Sequence, residues 1–205
     1  MKRPRLILVG AGGHARSVAA ALSAEVVGYV DLHPCEDMPW PYLGDDSEFI
    51  SAPVDGDVIV TLVSDRSCDL SVRRKLLAQY DSLIHNHWIA SDAIVDSTAT
   101  IGDGTVVMRK AVINCLSVLG RHCIVNTGAI VEHHCQIGRN VFIGPGAVIC
   151  GGVHIGDDVY IGANVSLRPG ISVASGSVIG LGAAVTTDIV APGIYGGVPA
   201  KLLKK

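Results

Sequence analysis

From Ile89 onward, one kind of residue returns every six positions. The series runs Ile89, Val95, Ile101, Val107, Ile113, Leu119, Val125, Val131, Ile137, Ile143, Ile149, Ile155, Ile161, Leu167, Val173, Ile179 and Val185. Every member is Ile, Val or Leu. Those three types supply 62 of the 205 residues, so chance produces such a run only ~once in a billion registers. The fourth residue after each is small or β-branched, as at Ala93, Ala99, Thr105, Ala111, Ser117, Cys123, Ala129 and Cys135. Glycine often follows the aliphatic residue directly, as at Gly102, Gly120, Gly138, Gly144, Gly156 and Gly162. A period of six does not fit a helix. It suits a short strand and a bend, with glycine relieving the corner. Hexapeptide repeats build a β-helix. Three units close one triangular coil, so equivalent side chains recur every ~18 residues and the aliphatic series points inward. The register holds from 89 to 185, a little over ~5 coils, which makes a prism roughly 25 Å tall.

The first 80 residues carry a different pattern. Leu6–Val9 reads as a short buried strand, 10–13 as a glycine loop, His14–Ala24 as a helix and Val26–Val30 as a second strand. Pro34–Pro53 is turn-rich, Val58–Val63 a third strand, and Ser67–Tyr80 a second helix. The order βαβ implies a small parallel sheet. The expected organisation is a small Rossmann-like α/β domain over 1–83 and a β-helix domain with a C-terminal tail over 84–205. Residues 81–88 connect the two, and the chain leaves the prism from Asp188.

Composition fits this picture. Aromatic residues are only 4% and glycines number 24, as a narrow aliphatic prism requires. A hydrophobic content of 49% with net charge -3 excludes a disordered chain. The pI near 6.2 argues against a nucleic-acid-binding module. No apolar run approaches the ~18 residues of a membrane span. Leu6–Val9 is too short for the core of a signal peptide and runs straight into the glycine loop, so a cytoplasmic protein is expected. The six cysteines contain no C-x-x-C and read as small buried thiols.

Two segments carry candidate chemistry. Gly10-Ala11-Gly12-Gly13-His14-Ala15 matches G-x-G-x-x-G/A, with Asp31 21 positions after Gly10. Glycines let the backbone approach a diphosphate, and the helix start offers N–H donors. The second is Glu132-His133-His134. The 18-residue column places Cys115 before His133 and Gly151 after it, with Leu116 and Gly152 flanking His134. Two glycines there leave a hollow and two open backbone N–H groups. A base beside amide donors is what acyl transfer needs. Any single prism histidine, such as His122 or His154, is otherwise expected on the solvated surface. The histidine spacings do not follow the column, so no metal site is expected. Adjacent residues on a strand face opposite ways, which separates Glu132 from His133.

The run Asn126-Thr127-Gly128-Ala129-Ile130-Val131-Glu132-His133-His134-Cys135 resembles the active-site coil of the hexapeptide-repeat bacterial sugar acetyltransferases. Among these are the bacillosamine-pathway and perosamine N-acetyltransferases and the sialic acid O-acetyltransferases. Gly10–His14 resembles their N-terminal loop, and Gly197-Val198-Pro199-Ala200-Lys201 their closing motif. The resemblance implies a left-handed parallel β-helix in a homotrimer, with acetyl-CoA between neighbouring prisms. It implies His133 as general base with Glu132 and His134 beside it. Gly151, Gly152, Gly180 and Gly182 would contact the cosubstrate. Gly10, Gly12, Gly13, His14, Asp31 and Asn126 would contact a nucleotide-sugar. The implied reaction is direct acetylation of the amino group of a UDP- or GDP-linked 4-amino sugar. O-acetylation of sialic acid, a nucleotide-binding oxidoreductase and a non-catalytic scaffold are the alternatives. In this chain the family's usual acid after the base is replaced by His134, and a second family histidine falls on Phe142.

Overall fold

A computed structural model of the chain describes residues 3–64 and 68–204. The N-terminal unit is a three-stranded parallel sheet in the order β2-β1-β3, with β1 at Arg5–Val9, β2 at Glu25–Val30 and β3 at Asp57–Val60. Helix α1 (Gly13–Ala21) joins β1 to β2. The segment read as turn-rich, Pro34–Pro53, contains a helix that was not expected, α2 (Asp46–Ser51). Its start is a capping box: the Asp45 carboxylate accepts from the Glu48 N–H, and the Glu48 carboxylate accepts from the Asp45 N–H. The turn-rich composition of its flanks masked that D-x-x-E signature. Helix α3 runs Ser71–Tyr80; Ser67, where it was expected to begin, lies outside the described residues.

From Trp88 the chain winds into a left-handed β-helix of two-residue strands. Each strand pairs in parallel with the one 18 residues on, as in Ile89↔Val107, Val131↔Ile149 and Leu167↔Val185. The first face stacks Trp88–Ile89, Val106–Val107, Ile124–Val125, Phe142–Ile143, Tyr160–Ile161 and Val178–Ile179. The second runs from Ile94–Val95 to Ala184–Val185, and the third from Thr100–Ile101 to Ser172–Val173. Past Val185 the spacing changes to 16, in Val173↔Ile189 and Val178↔Ile194. The tail therefore does not leave at Asp188. It adds Ile194–Gly196 to the first face and folds back as Lys201–Lys204.

The aliphatic series lines the interior, fully buried from Val107 onward, while Ile89 at the open end is 38% exposed. No aromatic side chain is among the buried residues of that core. The bend glycines divide into two classes, which corrects the single role expected of them. Those directly after the aliphatic residue do not take a left-handed turn. They let successive coils touch: a Cβ on Gly144 would lie 2.7 Å from the Ala163 nitrogen. The left-handed position comes three residues after the aliphatic one. There φ is +66° at Gly128 and +70° at Gly152, and +60° at His134 and +52° at Asn140. From Gly104 to Gly182 every corner contains one residue on the positive side of φ, which glycine or short polar residues tolerate best.

The α/β unit covers the first face. Leu70 packs with Ile124 and Phe142, whose ring stacks on Tyr160 at 4.8 Å, and α1 residues Ala15 and Val18 pack with Val106 and Met108. Arg73, 2% exposed, crosses the junction and donates to the His122 carbonyl at 2.8 Å and to Asn140 Oδ1. Burial lowers its pKa to about 10. His122 is buried here and not on the surface as expected, with Nε2 3.3 Å from Asp81. All six cysteines are free; Cys123 and Cys135 are buried, whereas Cys115 is exposed.

Candidate active site

His133 and His134 form the turn between Ile130–Val131 on the second face and Gln136–Ile137 on the third. Because this is a turn with His134 in the left-handed region, strand alternation does not apply and the two rings meet. Nδ1 of His133 lies 3.0 Å from Nδ1 of His134, and the rings are edge-to-face at 86°. The same ring of His133 spreads over the next coil. A Cβ on Gly151 would come within 2.6 Å of its Cε1 and 2.7 Å of its Nε2. Only glycine leaves room for it. Nδ1 therefore faces His134, and Nε2 sits beside Gly151.

Of the two open amides expected, one is free. The Gly152 N–H donates to the His133 carbonyl at 2.9 Å as part of the coil ladder, while the Gly151 N–H has no hydrogen-bond partner among the described residues. Glu132 is half-buried; its backbone carbonyl accepts from Ser117 Oγ at 2.6 Å, and its carboxylate makes no hydrogen bond among the described residues. The corner thus offers an exposed imidazole with a partner at one nitrogen, and a free amide donor beside the other. That is the minimal equipment for deprotonating a nucleophile and holding an oxyanion. Among the described residues no group of three His, Cys, Asp or Glu side chains is arranged to hold a metal ion.

The chain matches the family model for bacterial transferase hexapeptides over residues 116–151, and that for the hexapeptide repeat of succinyl-transferase over 135–169 and 152–187. No curated protein matches it. The solved acetyltransferase domain of PglB from Neisseria gonorrhoeae FA1090 is 33% identical, with 97% of this chain and 99% of that chain covered and a TM-score of 0.87. The same domain in complex with acetyl coenzyme A matches at 32% identity, 98% and 100% coverage and a TM-score of 0.88. PerB from Caulobacter crescentus, in complex with CoA and GDP-perosamine, matches at 28% identity, 96% coverage of each chain and a TM-score of 0.85. The chain belongs to the hexapeptide-repeat bacterial sugar acetyltransferases.

The other residues predicted for this acetyltransferase's site fall in two further places. Asn126 lies at the corner between the first and second faces, where its Oδ1 accepts from the Thr127 N–H at 2.7 Å. Gly180 and Gly182 occupy the same corner, three coils along. The glycine loop lies on the α/β unit, over the first face. Gly10 takes φ +103°, its carbonyl accepts from Thr61 Oγ1 at 2.9 Å, and Asp31 Oδ2 accepts from the Ala11 N–H at 2.7 Å. A Cβ on Gly12 or Gly13 would meet nothing within 4 Å, so the start of α1 stands open.

Beside the loop, a cavity of about 460 Å³ opens at the carboxyl ends of β1 and β2, lined by Gly10, Asp31, Leu32, Leu62 and Lys75 among others. That is the usual ligand position in such sheets. His14 follows at the start of α1. Burial and the nearby Arg73 lower its pKa to about 4, and its buried Nε2 has no hydrogen-bond partner. Sequence reasoning missed Arg73, Thr61 and Lys75. None sits in a motif, and only the packed junction shows what they touch.

Proposed function

We propose that the protein is an acetyl-CoA-dependent N-acetyltransferase acting on the amino group of a nucleotide-linked 4-amino-dideoxy sugar. The observation that carries this reading is the ring of His133 lying over Gly151, with Nε2 beside a free amide. The sugar amine attacks the thioester carbonyl carbon as His133 Nε2 takes its proton. The Gly151 N–H receives the developing oxyanion. The C–S bond then breaks, and the departing CoA thiolate takes the proton from His133. The neutral Nε2 of His14, the open start of α1 and the cavity at Asp31 supply the nucleotide side of the site. The bound ligands of the PglB domain and PerB, acetyl coenzyme A and GDP-perosamine, are of these two classes.

One chain does not bring these parts together. The α/β unit covers the first face, whereas His133 projects from the corner between the second and third. Exposed Ile94, Leu116, Val118 and Leu181 lie on the uncovered faces and corners. A homotrimer with parallel prisms joins the His133 corner of one chain to the Asn126, Gly180 and Gly182 corner and the glycine loop of the next. The test is thiol release from acetyl-CoA with a panel of UDP- and GDP-linked amino sugars and sialic acid. His133→Ala should lose about 10²–10⁴-fold in kcat with melting unchanged. Mixed trimers of His133→Ala and His14→Ala chains should regain turnover. Near-wild-type activity of His133→Ala, or turnover only with sialic acid, overturns the reading.

A further inference from the structure

The contact between the two imidazoles has a consequence for how the base works. A hydrogen bond between two Nδ1 atoms needs one proton, carried by one ring or the other. If His134 donates, Nδ1 of His133 is the acceptor. Neutral His133 then holds its proton on Nε2, the atom beside Gly151, and has no lone pair there. If His133 donates, its Nε2 is free to accept a proton, and His134 is neutral with its own proton on Nε2. Only the second arrangement is a base at the place where the free amide lies.

We propose that His134 is the positioning residue of the reaction, holding the proton of His133 on Nδ1, and that it does so only while neutral. This rests on His133 being the base. A carboxylate in this position accepts at all pH values above its own titration. An imidazole does not: once protonated it must donate from Nδ1, which reverses the bond and blocks Nε2 of His133. The acetyltransferase is therefore switched off by protonating either ring. The titratable and charged side chains around the pair are few. Glu132 is on the same turn, Cys115 on the coil below, and Cys150 and His154 flank the glycine pair above. His154 donates from Nδ1 to the Gly152 carbonyl at 3.1 Å and not to the pair. Arg168 is a further coil up, with its guanidinium on the Thr186 carbonyl. No cation or carboxylate contacts either ring among the described residues.

The test compares three variants in the thiol-release assay. Asn places its Oδ1 where His134 has Nδ1 and tolerates the left-handed backbone. His134→Asn should keep kcat within about fivefold, because it still accepts the Nδ1 proton. His134→Ala should lose about 10- to 100-fold in kcat with the KM for acetyl-CoA unchanged, a part of the ~10²–10⁴ that acid–base catalysis supplies. On the acid side, log kcat/KM should fall by one more proton in wild type than in His134→Asn, since the acceptor amine titrates equally in both. In His134→Glu the acid limb should move to higher pH, as the carboxylate stabilises the imidazolium. Melting curves confirm that each variant is folded. An active His134→Ala with the wild-type acid limb overturns the proposal, as do equal limbs in wild type and His134→Asn. Loss of activity in His133→Ala alongside such a result leaves the proposed function standing. An active His133→Ala removes both.

Discussion

From Trp88 to Val185 each strand of the prism pairs with the strand 18 residues on, whereas the α/β unit depends on pairs such as Gly10 and Thr61, or Arg73 and Asn140, whose spacing follows no rule. In the prism, one choice of residue repeated at one period sets the core, the corner and the register. In the α/β unit each contact is specified once. The two regions place chemistry differently as a result. The prism puts Gly151 one coil on from His133 by counting. The α/β unit puts His14 near Arg73 only because α1 and α3, packed on opposite sides of its sheet, both reach the first face of the prism.

The contrast is sharpest at glycine. Gly144→Ala should cost about 3 kcal/mol or more, because its Cβ would meet the backbone of the next coil at 2.7 Å and no side chain can yield. Gly128→Ala should cost about 1 kcal/mol, since its Cβ meets open space and only the positive φ opposes it. Denaturant unfolding of the pair measures the difference; equal costs would mean that coil contact does not set the glycine positions. Next in size is the junction. Arg73→Ala should cost about 2–4 kcal/mol, leaving the His122 carbonyl and Asn140 without their donor. Limited proteolysis should then cut near the junction while the prism stays whole.

A smaller effect is pH-dependent. His14 has a folded pKa of about 4 against an ordinary 6.5, so the unfolded chain binds more protons than the folded one between these values. Its contribution is fully present above pH ~6.5 and is lost as pH falls toward 4. It amounts to about 2 kcal/mol after allowance for the part of the ring that water reaches. In His14→Gln the stability curve should flatten across that window; an unchanged slope would show that the ring is solvated. The smallest is Asp45→Ala, which should cost about 1 kcal/mol through the cap of α2, with activity unaffected.

Much of this was legible in advance, for reasons that differ by region. The strands of the α/β unit appear at Arg5–Val9, Glu25–Val30 and Asp57–Val60 because short aliphatic runs between turn residues announce them. Helix α2 was hidden, since its capping box is a local signal inside a stretch dominated by turn formers. At the candidate site, the column of 18 correctly set Gly151 beside His133. It missed that the Gly152 N–H is spent on the coil ladder, because ladder hydrogen bonds depend on the three-dimensional path. It also treated residues 132–134 as strand, although the left-handed position at His134 makes them a corner.

The sequence by itself determined the prism: a strict period with one residue class has one way to bury its aliphatic series, and glycine at fixed offsets follows from how closely the coils stack. Tertiary structure alone decided which face the α/β unit covers, which amide stays free, and that two neighbouring histidines share one hydrogen bond. Those outcomes depend on groups from distant segments meeting at particular angles, and no periodicity encodes an angle.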